Sequence, residues 1–289
     1  MILGYNQANA MRRSTLEDDV RLCAEAGFGA IEMRLDMLWA YLRQHTLEEL
    51  GALFAQSPLT PYALNAMESH IAFYTAAEKT KDHPALEELK RACKVARRLG
   101  IRDIIALPPM GRSAYSEPYG MQWEEVLEHC APALHVMAEV AGEYGVCVCL
   151  EPVGAPKSAI RTVQQASCVL QAAACANTGL VVDAANLYMY HKLADFSAVA
   201  ALRAEDIHVV HINDFDDVPE EAFDRRYRCF CGRGVIDLAA FLAAVQQTGY
   251  DGVVSVETLR PEYWEQEPAK VIQDAYDTTL ACLQANGCG

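Results

Sequence analysis

An eightfold alternation restricts the fold of this chain more than any other feature. Apolar runs with β character occur at ILGYN (2–6), AIEMR (30–34), PYALNAM (61–67), DIIALP (103–108), VCVCLEPV (146–153), GLVVDAA (179–185), IHVVHIND (207–214) and GVVSVETL (252–259). Amphipathic helical stretches lie between them, clearest at 15–27, 83–100, 123–145, 162–174 and 237–249. Gly27, Gly100, Gly145 and Gly249 close four of these, the usual stop after a helix. Ser14/Thr15 and Asp237 supply side-chain caps at helix starts. Strands that alternate with helices call for a parallel sheet. Eight such units in 289 residues point to a closed (β/α)8 barrel, read as one domain over residues 1–289. An open doubly wound sheet is the alternative, but no GxGxxG follows the first strand.

Charge and cysteine usage narrow the function classes. A formal net charge of −15 argues against a nucleic-acid surface or an anionic membrane as partner. No apolar run approaches the ~20 residues that span a bilayer, and MILGYNQANAMRRS lacks the pattern of a signal peptide. Eleven cysteines, an odd number with Cys147 and Cys149 inside an apolar strand, suit a reducing cytoplasm rather than a disulfide framework. The pair Cys229 and Cys231 in RCFCGRG lacks a companion pair, so no redox or zinc role is assigned to it.

In a barrel of this kind the site lies at the C-terminal ends of the strands. Four consecutive strands end in chemistry: the fifth in Glu151, the sixth in Asp183, the seventh in His211 and the eighth in Glu257. Carboxylates in an apolar barrel need a partner, because burying an isolated charge is costly. One divalent cation would serve all four. His208 and His211 are three apart, so alternation sends them to opposite faces. His211 is taken as the ligand. His208 is expected to point among the helices or to sit too low in the strand. Asn213 shares the face of His211 and is a candidate substrate contact, and Asp214 a candidate to orient a ligand from behind. Three carboxylates and one imidazole suit Mn²⁺, Mg²⁺ or Co²⁺, with Zn²⁺ also possible.

The segments LEPVG (150–154), VVDAANLY (181–188), VVHINDFD (209–216), GRGVIDLAAFLAAVQQTGYDG (232–252) and VSVE (254–257) resemble the sugar phosphate isomerase/epimerase superfamily, the xylose isomerase-like TIM barrels. The resemblance is carried by residues 145–260, with Glu32 at the end of the second strand a weaker signal. It implies that Glu151, Asp183, His211 and Glu257 bind one metal ion and that Glu151 and Glu257 are also the acid/base pair. The implied chemistry is proton abstraction next to a ketone, with the metal stabilising the enediolate. Isomerisation, epimerisation and, if a β-hydroxyl leaves, dehydration all remain open at this point, as does a barrel that only binds. An apurinic endonuclease, which shares the barrel, would need more histidines and is opposed by the charge.

The chain also departs from the family pattern. Asn186 stands where many members carry a substrate-contacting histidine, and an amide cannot titrate there. The loop after the fifth strand reads EPVGAPKSAIRT, with Lys157 and without the second glutamate of the ketose 3-epimerases, which is closer to the inosose isomerase branch. Arg228, ahead of the Cys231-Gly232-Arg233-Gly234 turn, matches a substrate-holding arginine, with Arg225 and Arg226 as competitors. His70, Trp264, Tyr263, Tyr5 and Asn6 complete the substrate-side candidates. The resemblance implies a small-molecule sugar or cyclitol substrate and a homo-oligomer, a dimer or a tetramer. An unphosphorylated substrate is favoured, the Gly232–Gly234 turn being the one candidate phosphate cradle.

Overall fold

A computed structural model describes residues 1–11, 13–67, 70–111 and 117–288. Eight parallel strands close a barrel: β1 Ile2–Asn6, β2 Ala30–Arg34, β3 Thr60–Met67, β4 Asp103–Ala106, β5 Cys147–Leu150, β6 Thr178–Asp183, β7 Ile207–Ile212 and β8 Val253–Val256. Each strand pairs with its sequence neighbour, and β1 closes the ring on β8 with Gly4 opposite Ser255. This is the (β/α)8 architecture that the alternation predicts. Several strands end earlier than the apolar pattern suggests. The run 146–153 is strand only over Cys147–Leu150, and past Glu151 the backbone bonds within the following loop, the Val153 amide donating to Ile160.

The helices are set by caps and by one apolar face each. Thr15 accepts from the Asp18 amide to start Leu16–Ala26, and Gly27 ends it with φ of 104°. Asp237 caps Leu238–Gln247 by accepting from Ala240. Leu16–Ala26 packs on the C-terminal helix Pro268–Ala285, and Trp123–Gly142 packs on Val163–Ala173. The stretch 83–100 begins as a 3₁₀ turn, Pro84–Leu86, and becomes α-helical at Glu87–Leu99. No described helix is long and apolar enough to cross a membrane.

The lumen carries its own layered core. Ala63, Ile105, Cys147, Cys149, Val181 and Val209 form a cluster distinct from the larger core between sheet and helices. Inward positions two residues further along β5, β6 and β7 are Glu151, Asp183 and His211, so the lumen turns abruptly from apolar to charged at its C-terminal mouth.

Candidate metal centre

Register brings the charged residues to one height. His211 pairs with Asp183 on β6 and with Ser255 on β8. Glu151 and Glu257 each follow the last residue of their strand, and their amides still donate to Ala106 and Ile212 across the sheet. Donor atoms of Glu151, Asp183, His211 and Glu257 lie within 4.8 Å of one another, and all four residues are buried.

His211 Nδ1 is the centre of the arrangement. It stands 3.4 Å from Glu151 Oε1, 3.5 Å from Asp183 Oδ2 and 3.6 Å from Glu257 Oε2. Among the described residues it has no hydrogen-bond partner, although His211 is fully buried. A buried imidazole nitrogen left unpaired among three carboxylates is costly unless something sits between them. Donors around a first-row divalent ion at about 2.0–2.2 Å stand roughly 3.3–3.6 Å apart in a tetrahedron, the spacing found around Nδ1. The other ring nitrogen is committed: Nε2 lies 2.9 Å and 3.1 Å from the two oxygens of Glu32. That pairing orients the ring and turns Nδ1 toward the carboxylates.

The electrostatics point the same way. Four buried carboxylates, Glu32, Glu151, Asp183 and Glu257, face one guanidinium and one imidazole. Burial pushes the Glu151 carboxyl up to about 7, against the pull of His211. Burial also raises Asp183, but Arg228 and His211 outweigh it and hold that carboxyl below its ordinary range. Glu32 is held down in the same way, burial being outweighed by His211, Asn65 and Tyr62. Burial disfavours a charged His211, yet Glu32, Glu257, Asp183 and Glu151 together hold the imidazole well above its usual value. The cluster has an excess of negative charge that a divalent cation would neutralise.

Supporting residues hold each carboxylate in place. The Asn186 side chain donates to Glu151 Oε1 at 2.6 Å, and its backbone N–H donates to Asp183 Oδ1 at 2.6 Å. Arg228 donates to Glu257 Oε2 at 2.5 Å and to Asn186 Oδ1 at 2.8 Å, and lies 3.3 Å from Asp183 Oδ2. Arg228 reaches the mouth on a two-stranded antiparallel ribbon in which Asp214 pairs with Cys229 and Phe215 with Arg228. Arg225 also lines the cleft, whereas Arg226 is exposed with its guanidinium over Tyr227. Asn213 donates to Asp183 Oδ2 at 3.2 Å and to the Glu257 carbonyl at 2.7 Å, so it braces ligands and does not face the cleft.

Other candidates fall elsewhere. Trp264 is buried and donates to the Ala8 carbonyl at 2.8 Å, and Tyr263 stacks on Phe230 with ring centroids 4.2 Å apart. His70 is buried behind the cleft, its Nε2 2.9 Å from the Leu107 carbonyl. Lys157 lies in the loop after β5, where burial and then Arg225 lower its ammonium pKa. Tyr5 turns outward onto Phe28, whereas Asn6 donates to Glu32 at 2.8 Å and to Glu257 at 3.0 Å.

Asp214 does not back a metal ligand. Its two oxygens accept from the amides of Gly232, Gly234 and Ile236, which fills the turn considered as a phosphate cradle. A Cβ at Gly234 would fall 2.2 Å from the Phe215 carbonyl oxygen, so only glycine permits this approach. Sequence reasoning missed Asn65 and Tyr62, which donate to Glu32 at 2.5 Å and 2.9 Å. Asn65 near the end of β3 obeys the same strand-end rule that picked out strands five to eight.

The cleft above these residues holds ≈ 60 Å³. Its polar wall includes Arg34, Asn65, Glu151, Asn186, Arg225, Arg228 and Glu257, and its apolar wall Leu107, Met110, Val153, Met189 and Leu259.

Comparisons with known proteins agree in kind. A family model described as a xylose isomerase-like TIM barrel matches residues 20–280. The inosose isomerase of Bacillus velezensis (strain FZB42) is 32% identical over 287 residues, 98% of this chain and 97% of that protein. The inosose isomerase of Bacillus subtilis (strain 168) is 31% identical over 97% of each chain. A crystal structure of the IolI protein with a bound zinc atom superposes with a TM-score of 0.88 at 29% identity, covering 99% of both chains.

Proposed function

Because the chain belongs to the xylose isomerase-like TIM-barrel family, we propose that it is a metal-dependent isomerase of an inosose or a near relative among ketocyclitols. The observation that carries this reading is His211 Nδ1, unpaired and surrounded by Glu151, Asp183 and Glu257 at 3.4 to 3.6 Å. Full-length similarity to inosose isomerases supports the substrate class.

Glu151, Asp183, Glu257 and His211 through Nδ1 would hold the ion. When bound, it supplies Lewis-acid stabilisation of the negative charge that develops on a ketone oxygen. Similarity to the zinc-containing IolI structure favours Zn²⁺ among the ions this donor set accepts.

The chain's own residues divide the remaining work. Glu151 and Glu257 reach the site from β5 and from beyond β8, on either side of the β6–β7 pair. Glu257 is oriented through both oxygens, Oε2 by Arg228 and Oε1 by Asn6 and Asn65. Glu151 is held through Oε1 by Asn186, and among the described residues no donor reaches its Oε2. Oε2 is therefore the atom at which Glu151 takes up or returns a substrate proton. Arg228 and Asn186 form one hydrogen-bonded unit that keeps the two carboxylates in register. The apolar wall suits the C–H face of a six-membered ring, while the polar wall meets its hydroxyl edge.

We take residues 1–289 as one barrel domain working in a reducing cytoplasm, a setting supported by eleven free cysteines. The test is a panel of inososes and ketoses incubated in D₂O with Mn²⁺ or Zn²⁺ and followed by NMR. Deuterium should enter an inosose at the carbon beside the carbonyl, and chelation should stop it. Failure of the loaded protein to label any member of the panel would refute the proposal.

A further inference from the structure

The opposite mouth of the barrel carries a second group of metal-capable side chains. Register between β6 and β7 pairs Leu180 with Ile207 and Val181 with Val209, which leaves His208 as an extra residue. A bulge of this kind re-aims the side chain it inserts. His208 thus enters the lumen near its N-terminal end: of the two expectations for it, the outward direction is corrected and the low position in the strand holds. It reaches Asp103 on β4, three strands away, with Nδ1 2.6 Å from Asp103 Oδ1. Only a path through the lumen joins strands that far apart. Cys149, one inward position below Glu151, lies with its Sγ 3.5 Å from the same Asp103 oxygen.

The space for this arrangement is built in. A Cβ at Gly179, on the strand that His208 crosses, would fall 2.2 Å from the His208 ring. Any side chain there would evict the imidazole. One donor atom from each of Asp103, Cys149 and His208 lies within 4.8 Å of the others. The route from solvent is open: His208 and Asp103 keep 14% and 15% side-chain exposure. His208 also borders an outer groove of ≈ 520 Å³ shared with Thr178, Arg203 and Asp206.

We infer that Asp103, Cys149 and His208 form a second cation site, structural in role, for a borderline-soft divalent ion of the Zn²⁺ class. One thiolate, one imidazole and one carboxylate are three of the four ligands of a tetrahedral site, with water from the open mouth as the fourth. The ion would replace the 2.6 Å Asp103–His208 hydrogen bond and part that pair to about 3.3 Å. On binding, the Cys149 thiol gives its proton to solvent as the sulfur–metal bond forms. The ion would tie β4, β5 and β7 together at the end of the barrel that governs stability and not chemistry.

Cobalt distinguishes this site from the upper one, because only the lower site offers sulfur. Full-length protein titrated with Co²⁺ should bind two equivalents. One of these should give a thiolate-to-cobalt charge-transfer band in the near ultraviolet, displaced by Zn²⁺. Cys149→Ser and, independently, His208→Gln should each remove the band or weaken that equivalent at least tenfold, while the sulfur-free equivalent remains. His208→Gln decides the matter if Cys149→Ser does not fold. Absence of the band in folded wild-type protein, or a band that survives both substitutions, would overturn the inference. Either result leaves the upper site standing or falling on its own exchange assay.

Discussion

Glu32 accepts from His211 through both carboxylate oxygens, at 2.9 Å and 3.1 Å, with each side chain completely buried. This pair connects β2 to β7 across the mouth and decides which imidazole nitrogen faces Glu151, Asp183 and Glu257. Glu32→Gln should therefore weaken metal binding about 10- to 100-fold, the usual cost of losing the group that orients a ligating histidine. Competition against a chromogenic chelator measures it. Unchanged affinity would mean that Glu32 does not position the ligand.

Arg228 is the permanent positive charge in the acidic cluster, beside an imidazole that the carboxylates hold well above its usual value. Removing one partner of a buried ion pair typically costs about 3–5 kcal/mol, so Arg228→Met should be strongly destabilised in chelator. A divalent cation would offset part of that loss, and saturating Zn²⁺ should stabilise the variant more than the wild type. Urea unfolding with and without metal gives both differences. Equal metal stabilisation in the two proteins would argue against Arg228 and the cation sharing one charge-neutralising role.

Asn186 links Glu151 to Arg228 by hydrogen bonds at both ends of its amide. Asn186→Asp keeps the shape but removes the donor to Glu151 and places a fifth carboxylate in the cluster. Isotope exchange into the substrate should fall at least tenfold, about 1.4 kcal/mol or more in transition-state stabilisation. Steady-state exchange rates at saturating metal check this, and an unimpaired variant would remove Asn186 from the site.

Asp19 controls stability against pH away from the site. Burial raises its carboxyl from 3.8 to about 7, with Ser14 and Gln7 hydrogen bonds opposing. Between these values the native state holds a proton that the unfolded chain has lost, so stability falls as pH rises through the window. The swing is on the order of 4 kcal/mol. Asp19→Asn should remove this component and shrink the fall in urea midpoint between pH 5 and pH 8, leaving the part that comes from Glu151, whose carboxyl is also raised to about 7. A variant that keeps the wild-type slope would assign the pH dependence to another group.

Much of this arrangement can be read from the sequence, for a physical reason. A carboxylate or imidazole that ends an apolar run has no place in a barrel lumen without a partner, and four such residues on successive strands stand out. Glu32 shows where legibility weakens, because AIEMR reads equally well as a strand with one solvated charge. Asn65 and Tyr62 carry no charge, and only their hydrogen bonds reveal their part. His208 sits too low in its strand to reach the metal centre, one of the two places expected for it. That it points inward and not among the helices follows from a bulge, which depends on pairing with a neighbouring strand and which alternation along one strand cannot express. Trp264, His70 and Asp214 turned on loop packing after the strands. Their partners, Ala8, Leu107 and the Gly232–Ile236 amides, lie far off in sequence or across a turn.

The central claim is that Glu151 and Glu257 move a proton beside a ketone under a shared metal ion. It is tested most directly by following deuterium incorporation into an inosose by NMR, with metal-loaded wild type, Glu151→Gln and Glu257→Gln compared in parallel. The account predicts rapid label at the carbon adjacent to the carbonyl in the wild type and none above background in Glu257→Gln. Exchange at the wild-type rate in that metal-loaded variant would contradict it.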